Sequence, residues 1–253
     1  AWAPFNQETP YVFTNDTVLT GGGGNPNLDP YKSNNFNASL EWYFAPESVL
    51  AASVFYKDIR NYIVQGVGIE RLYNSLIVLN PAVYAGLTGG NCDSKGFCDY
   101  SITRPENGGK AKAKGFTINY QQPIGDTGFG IRANYTYSDA NTASGGALPY
   151  NSKNSYNVSP YYDKGAWSSS LTYGYRSSYL AGGYVAGAPA ETVDGYKELD
   201  ANIAWRFTDH LSVSLDGLNL LDSTYLGYLG SKNEPIARYK FGREYMATLH
   251  FKF

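Results

Sequence analysis

The sequence predicts an all-β protein, specifically an antiparallel transmembrane β-barrel. Apolar and polar residues alternate with a period of two along almost the whole chain, as in strands whose two faces meet different surroundings. The 24 Tyr, 12 Phe and 28 Gly favour strands and tight turns, and helix-forming residues are sparse. A membrane-spanning strand needs only about ten residues with alternate positions apolar. A mean hydropathy of −0.37 is therefore compatible with a barrel in a membrane.

Nine strands are predicted from this alternation. Ile131, Ala133 and Tyr135, for example, alternate with Arg132 and Asn134. One face of each strand is apolar with aromatic ends, and the other carries charged and amide side chains. The predicted strands cover residues 31–44, 49–64, 109–123, 129–142, 155–162, 166–179, 196–207, 211–221 and 239–253.

Short and long connections alternate between these strands. The short turns are residues 45–48, 124–128, 163–165 and 208–210. The long connections are residues 65–108, 143–154, 180–195 and 222–238. Short turns on one rim and longer loops on the other are typical of outer-membrane barrels. Because such barrels normally have an even number of strands, nine strands indicate part of a larger barrel, or else a tenth strand near residues 11–19.

Composition excludes several other classes of protein. The 253 residues include 20 Lys and Arg against 22 Asp and Glu, so the chain lacks the basic excess of a nucleic-acid binder. We therefore expect no nucleic-acid partner. Residues 21–24 are four glycines with no phosphate-binding Lys-Ser/Thr pair after them, and we expect a flexible loop there. We find no catalytic constellation or metal-ligand spacing, and expect neither an enzyme nor a cofactor.

Two segments carry a resemblance to a known family. Residues 25–33 read NPNLDPYKS and precede a predicted strand that ends in EWYF. Residues 217–225 read GLNLLDSTY, and they are followed by GREY at 242–245 and by a final aromatic residue. In order and spacing these motifs resemble those of TonB-dependent receptors of the Gram-negative outer membrane, and the resemblance spans about residues 25–253.

The resemblance implies a barrel of about 22 strands that is closed by an N-terminal plug domain. Residues 1–253 would be the C-terminal portion of that barrel, with its last nine strands. Residues 1–30 would form an extracellular loop, and residues 31–253 would supply strands and loops. The plug and the TonB box, the short segment that engages the energy-transducing TonB complex, would lie outside this sequence.

The function implied by the resemblance is nutrient uptake across the outer membrane. The receptor would bind a scarce nutrient, such as a ferric siderophore or an oligosaccharide, and take it up by TonB-coupled active transport. Its partners would be the nutrient, the TonB complex acting on the plug, the barrel-assembly machinery and the lipid bilayer. A passive outer-membrane porin and a soluble β-rich carbohydrate-binding protein are the alternative interpretations.

Two groups of residues are candidates for contact with a ligand or with the barrel lumen. Aromatic rings in the long connections can stack on sugars or planar chelates while their hydroxyls form hydrogen bonds. These loop aromatics are Tyr84, Tyr179, Tyr184, Tyr225 and Tyr228. Alternation places a second, charged group on the lumen side. These are Arg132, Arg176, Asp200 and Arg206.

Two further features fit an outer-membrane protein. Cys92 and Cys98 lie six residues apart in a long connection, where a disulfide would restrict the unfolded chain in an oxidising compartment. In the last predicted strand, alternation places Phe251 and the terminal Phe253 on the same face as the other apolar residues. Such an ending resembles the signal that the barrel-assembly machinery reads.

Overall fold

The computed structural model describes residues 12–82, 86, 89–143, 145–181 and 190–252. Their regular structure is almost entirely β, with the short helix α1 (Ser75–Leu79) and a 3₁₀ turn at Gly125–Thr127. No helix among them has the length and apolar character needed to cross a membrane. The strands are β1 (Val12–Asn15), β2 (Thr20–Gly23), β3 (Lys32–Ala45), β4 (Ser48–Arg60), β5 (Ile63–Tyr73), β6 (Phe97–Asn107), β7 (Lys110–Pro123), β8 (Phe129–Thr142), β9 (Asn154–Lys164), β10 (Trp167–Arg176), β11 (Tyr179–Leu180), β12 (Glu191–Val193), β13 (Tyr196–Arg206), β14 (Leu211–Leu218), β15 (Thr224–Leu229), β16 (Pro235–Lys240) and β17 (Glu244–Phe251).

The chain divides into two compact units. Unit 1 consists of the residues up to Asn34 and of Asp58–Ala111, and unit 2 consists of Asn35–Lys57 and of the residues from Lys112 onward. Nine strands form one meandering sheet in the order β17-β14-β13-β10-β9-β8-β7-β4-β3. All nine predicted strands are present in this sheet, and the four short turns join neighbours within it. The all-β, antiparallel prediction is confirmed.

Strand pairing gives the nine-stranded sheet two different faces. On the polar face, Thr172 lies opposite Asp200 and Asn202 lies opposite Asp216. On the apolar face, Leu171 lies opposite Ala201 and Ile203 lies opposite Leu215. We use these two names for the faces throughout. Leu215 is 57% exposed although it lies in the middle of the apolar face.

Aromatic rings gather at both ends of the apolar face. Near the short turns, the rings of Trp167 and Trp205 stack at 4.9 Å, and Phe207 lies 3.8 Å from Trp205. Toward the long connections, the ring of Tyr156 lies 5.1 Å from that of Tyr175. Two aromatic belts separated by aliphatic residues are typical of β-structure in a membrane, where rings with a polar edge favour the interfaces.

The long connections hold two further sheets that alternation did not predict. One has the order β1-β2-β6-β5 and the other the order β11-β12-β15-β16. The stretch at 11–19 contains a strand, β1, but β1 belongs to the first small sheet and not to the nine-stranded one.

The expectation of a flexible loop at residues 21–24 is also wrong for Gly21–Gly23, which belong to β2. A Cβ at Gly21 would lie 2.8 Å from Ile102 Cδ1, so glycine permits this close packing.

Unit 1 has a small apolar core of its own. Its buried residues are Leu19, Ile77, Cys98, Tyr100 and Ile102. The hydroxyl of the buried Tyr100 donates to Asp16 Oδ1 at 2.7 Å, which satisfies the polar end of the ring. Asn74 accepts a hydrogen bond from the Leu76 N–H and so begins α1. These contacts make the hairpin of β5 and β6 a packed element.

Candidate ligand-binding site

Arg176 ends β10 at the long-connection end of the polar face. Its guanidinium carbon lies 4.8 Å from the ring centre of Tyr179 and 5.7 Å from that of Tyr196. Tyr196 lies directly opposite Arg176 on β13. Two aromatic faces therefore hold this cation, and they leave the edge of the guanidinium for hydrogen bonding.

One guanidinium nitrogen of Arg176 has no hydrogen-bond partner among the described residues. Nη1 is buried, and no acceptor among the described residues lies within hydrogen-bond distance of it. Arg176 also borders a cavity of about 470 Å³, which falls within the usual range for small-molecule sites. The cavity is lined by Ser155, Asn157, Gly174, Tyr175, Arg176, Tyr196, Glu198, Tyr225 and Phe241. A buried donor beside an open cavity is costly unless a ligand or water satisfies it.

A second sheet supplies another wall of this cavity. Tyr225 comes from β15, and its ring lies 5.7 Å from that of Tyr239 on β16. Burial raises the pKa of Tyr225, and the nearby Glu191 raises it further. The hydroxyl of Tyr225 therefore stays protonated at neutral pH and remains a hydrogen-bond donor.

The cavity contains a carboxylate as well as a cation. Glu198 lines it from β13, but no ion pair among the described residues joins Glu198 to Arg176. In the part of the chain that the structure describes, the cation is therefore not neutralised by a direct ion pair. Arginine hydrogen-bonds to carboxylate and phosphate oxygens in pairs, and aromatic rings bind planar groups. The arrangement suits a ligand that has both an anionic edge and an aromatic or planar body.

The structure brings some of the predicted ligand residues together. Tyr179 and Tyr225 both lie near Arg176. Tyr228 also lies on β15, where it pairs with Thr192, but it does not line the cavity. Tyr84 and Tyr184 lie outside the described residues. A role in ligand binding stays a prediction for all five tyrosines.

All four residues predicted to face the lumen lie on the polar face. The strand pairings give them the same parity: Arg132, Arg176, Asp200 and Arg206. Arg132 packs over the ring of Tyr161 at 4.5 Å. Asp200 accepts a hydrogen bond from the Asn219 N–H at 2.9 Å. Contact with a lumen remains a prediction.

Sequence reasoning identified two of the nine residues that line the cavity, Arg176 and Tyr225, and missed the other seven, among them Tyr196, Glu198 and Phe241. Tyr196 and Glu198 share the parity of Asp200 and Arg206, so the same alternation would have placed them on the polar face. Phe241 falls inside the predicted strand 239–253, but in the structure it lies between β16 and β17. Its place in the site depends on a contact between sheets, for which the sequence contains no local signal.

The predicted disulfide between Cys92 and Cys98 is present. Beside it, Arg71 donates to Asp93 Oδ2 at 2.8 Å and to Asp99 Oδ1 at 2.7 Å. The hydrogen bond from Arg71 lowers the pKa of Asp93, and backbone hydrogen bonds from Phe97 and Lys95 lower it further. This carboxylate therefore stays ionised and holds the turn.

The remaining sequence-predicted features are placed as follows. Phe251 pairs with Leu211 on the apolar face, and Phe253 lies outside the described residues, so an assembly signal stays a prediction. Among the residues that the structure describes, no group of three His, Cys, Asp or Glu side chains is arranged to hold a metal ion.

The two sequence motifs make specific contacts. In the first, the Asp29 N–H donates to Asn107 Oδ1 at 2.8 Å, and Asn107 Nδ2 donates back to the Asp29 carbonyl at 3.0 Å. In the second, Asn219 Nδ2 donates to the Gly242 carbonyl at 2.7 Å, and Arg243 Nε donates to the Leu220 carbonyl at 2.8 Å. The motifs therefore fasten connections to strand ends.

The sequence profile of the family described as "TonB dependent receptor-like, beta-barrel" matches residues 3–220. The chain belongs to this family. Its members are transport receptors that form β-barrels in the outer membrane of Gram-negative bacteria. No curated protein matches the sequence.

Solved structures of this family have the same fold. A mutant of the ferric enterobactin receptor PfeA from Pseudomonas aeruginosa is 19% identical, with a TM-score of 0.71 over 99% of this chain and 36% of its own. The siderophore receptor PirA from Acinetobacter baumannii is 20% identical, with a TM-score of 0.63 over 92% of this chain and 33% of its own. The copper transporter OprC is 19% identical, with a TM-score of 0.60 over 90% and 32%. This TonB-dependent receptor chain thus spans about a third of the length of these structures.

Proposed function

We propose that this chain supplies the C-terminal wall and ligand-binding loops of an outer-membrane receptor that takes up a scarce nutrient by TonB-coupled active transport. The family supports the class of transporter. The apolar face would contact lipid and the polar face would line the lumen. The cavity beside Arg176 lies at the long-connection end, which in such barrels is extracellular.

The substrate class we propose is an anionic, aromatic or planar iron chelate, that is, a ferric siderophore. The buried and unpartnered Nη1 of Arg176 is the observation that carries this proposal. A neutral oligosaccharide would offer rings and hydroxyls but no charge for this donor. An anionic chelate would offer oxygen acceptors to Arg176 and a flat surface to Tyr179 and Tyr225. Two of the structural neighbours are named as siderophore receptors, and one as a copper transporter.

The residues of this chain would act by binding and positioning. Arg176 would hold the anionic edge, and its two flanking rings would keep the guanidinium in place before the ligand arrives. The protonated hydroxyl of Tyr225 would donate a further hydrogen bond. Force from the TonB complex on the plug would then open a path along the polar face. A passive porin would need no such force, and a soluble carbohydrate-binding protein would leave the apolar face in water at high cost.

The test uses the full-length receptor in cells that depend on it for iron. Ferric chelates that differ in charge are supplied singly, with and without a working TonB complex. We expect TonB-dependent growth on an anionic ferric chelate, and Arg176→Gln should weaken binding of that chelate about 10- to 100-fold, because a charge-assisted hydrogen bond is lost. Arg238→Gln on β16, an exposed residue of the β11-β12-β15-β16 sheet, is the matched control and should change binding little.

Three results would contradict parts of this proposal. Uptake that persists without TonB would indicate a porin. Growth on a neutral oligosaccharide, with no response to any ferric chelate, would exclude the substrate class. Equal binding by Arg176→Gln and Arg238→Gln would remove Arg176 from the site.

A further inference from the structure

We infer that Glu198 selects a chelate that carries a protonated amine as well as an anionic edge. Arg176 and Glu198, here called the split charge pair, would bind the two opposite charges of one zwitterionic ligand. The inference rests on the proposed function, because it takes the cavity beside Arg176 as the ligand-binding site. It adds a specificity-determining residue and narrows the class of substrate.

Strand pairing places both members of the split charge pair on the polar face. Between β10 and β13, Arg176 lies opposite Tyr196, and Gly174 lies opposite Glu198. Diagonal neighbours on one face of two antiparallel strands lie about 7–8 Å apart, and Arg176 and Glu198 are such neighbours. Both side chains line the same cavity of about 470 Å³. A single small molecule in this cavity can therefore contact both charges.

The two charges do not neutralise each other. No ion pair within the described part of the chain contains Arg176 or Glu198. The guanidinium instead lies against two rings, 4.8 Å from the centre of Tyr179 and 5.7 Å from that of Tyr196. Because these rings hold the cation beside them, the carboxylate of Glu198 has no cationic partner among the described residues.

Gly174 opens a space between two acceptors. It lies opposite Glu198 on β13 and opposite Asn157 on β9. A Cβ at Gly174 would lie 2.8 Å from Asn157 Oδ1, so glycine keeps this space clear. Asn157 Nδ2 donates to Asn134 Oδ1 at 3.2 Å, and Asn157 Oδ1 faces Gly174. An ammonium group above Gly174 would thus have a carboxylate and an amide oxygen as acceptors.

The charges around this space favour a cationic group. Asp200 follows Glu198 on the polar face of β13, where it accepts a hydrogen bond from the Asn219 N–H at 2.9 Å. A ligand with negative charge alone would be attracted by Arg176 and repelled by Glu198 and Asp200. A ligand that also carries an ammonium group would avoid this repulsion. Repulsion of the wrong ligand is a common source of specificity.

The test compares two chelates that differ by one charge. A synthetic ferric catecholate whose linker carries a primary amine is titrated into the purified full-length receptor, and so is the same chelate with that amine acetylated. We expect the native receptor to bind the amine form at least about tenfold more tightly, because only that form makes a charge-assisted hydrogen bond to Glu198. In Glu198→Gln, the amine form should bind about tenfold more weakly, whereas the acetylated form should bind equally well or more tightly. A merely structural role of Glu198 would weaken both forms alike, and that result would overturn the inference.

Glu234→Gln is the matched control. It removes one exposed carboxylate from the turn between β15 and β16, and should leave the preference for the amine form unchanged. An equal loss of preference in Glu198→Gln and Glu234→Gln would indicate a general effect of net charge and overturn the inference. Equal binding of both chelates by the native receptor would also overturn it, since Glu198 would then be neutralised by another part of the full-length receptor.

Failure of the inference and failure of the proposed function give different results. A receptor that binds both chelates equally, and binds both more weakly in Arg176→Gln, keeps the proposed site and overturns the role of Glu198 alone. A receptor that binds neither chelate removes the proposed substrate class, and with it both proposals.

Discussion

The two units of this chain treat apolar residues in opposite ways. In unit 1, Ile102 is 1% exposed and the ring of Tyr100 is fully buried. In the nine-stranded sheet of unit 2, Leu249 is 69% exposed and Leu40 is 73% exposed. Unit 1 therefore buries a small apolar core, although it also exposes Ile69, whereas the nine-stranded sheet displays apolar side chains along one whole face. The comparison supports the proposal that the nine-stranded sheet meets lipid, whereas unit 1 folds around a core as proteins do in water.

Water around unit 1 and lipid around the sheet would explain the two patterns of apolar exposure. A small unit in water gains stability by removing apolar surface from the solvent, and the Cys92–Cys98 disulfide supplements a core of few residues. A sheet in a bilayer gains nothing by hiding leucine, because lipid tails are equally apolar. It must instead pair its backbone groups, which the continuous meander of nine strands does.

The largest effect should come from opening the core of unit 1. Ile102→Ala removes a fully buried side chain from the core around Tyr100 and should destabilise unit 1 by about 2–5 kcal/mol. Hydrogen exchange of the β5–β6 hairpin in the full-length receptor measures this loss. Ile69→Ala is the matched control, because Ile69 lies on the same hairpin and is 71% exposed.

The control sharpens the comparison between the units. Ile69→Ala should change protection by less than about 1 kcal/mol, since a mostly exposed side chain loses little contact. If Ile69→Ala cost as much as Ile102→Ala, the outer side of the hairpin would be covered in the native receptor. The assignment of water as its surroundings would then be wrong.

The next effect in size should come from placing a charge on the apolar face. Leu215→Arg introduces a cation between the two aromatic belts and should cost about 2–3 kcal/mol of folding free energy in a bilayer. The measurement is reversible unfolding of the receptor in lipid vesicles. Ser214→Arg, one residue away on the polar face near Asp216, should cost little. Equal costs would show that both faces meet water.

The sequence was sufficient to predict the nine-stranded sheet for physical reasons. Each strand keeps a strict period of two, because its faces meet different surroundings, and Gly128 and Gly165 at the short turns adopt positive φ. The two small sheets have no such signal. β1 has four residues, and β2 pairs in parallel with β6, so that Thr20 lies beside Ser101. Pairings across such sequence distances cannot be read from local patterns.

The candidate site was likewise predictable from the sequence only in part. Alternation placed Arg176 on the polar face, and loop position singled out Tyr179 and Tyr225. Arg176 and Tyr225 line one cavity and Tyr179 packs against Arg176, which depends on tertiary contacts between β10, β11 and β15 that the sequence does not encode locally. Tyr228, also a tyrosine of a long connection, does not line the cavity. Residue type therefore predicts candidates, and tertiary contacts select among them.

The smallest effect at neutral pH, and the one specific to unit 1, concerns Tyr100. Burial raises the pKa of its hydroxyl well above the ordinary value, and the hydrogen bond to Asp16 raises it further. The unfolded chain releases this proton near pH 10, whereas the folded unit retains it. The contribution of this hydroxyl to the free energy of unfolding is therefore full below about pH 10 and decreases above it, by up to about 1.4 kcal/mol per pH unit.

Tyr100→Phe should cost about 1 kcal/mol at neutral pH, because the hydrogen bond is lost, and should lose less stability than the native receptor at alkaline pH. Hydrogen exchange of the β5–β6 hairpin across this pH range measures both, with Tyr73→Phe, 55% exposed, as the control that keeps the native profile. A Tyr100→Phe profile parallel to the native one would mean that water reaches this hydroxyl, and that unit 1 lacks the sealed core that distinguishes it from the nine-stranded sheet.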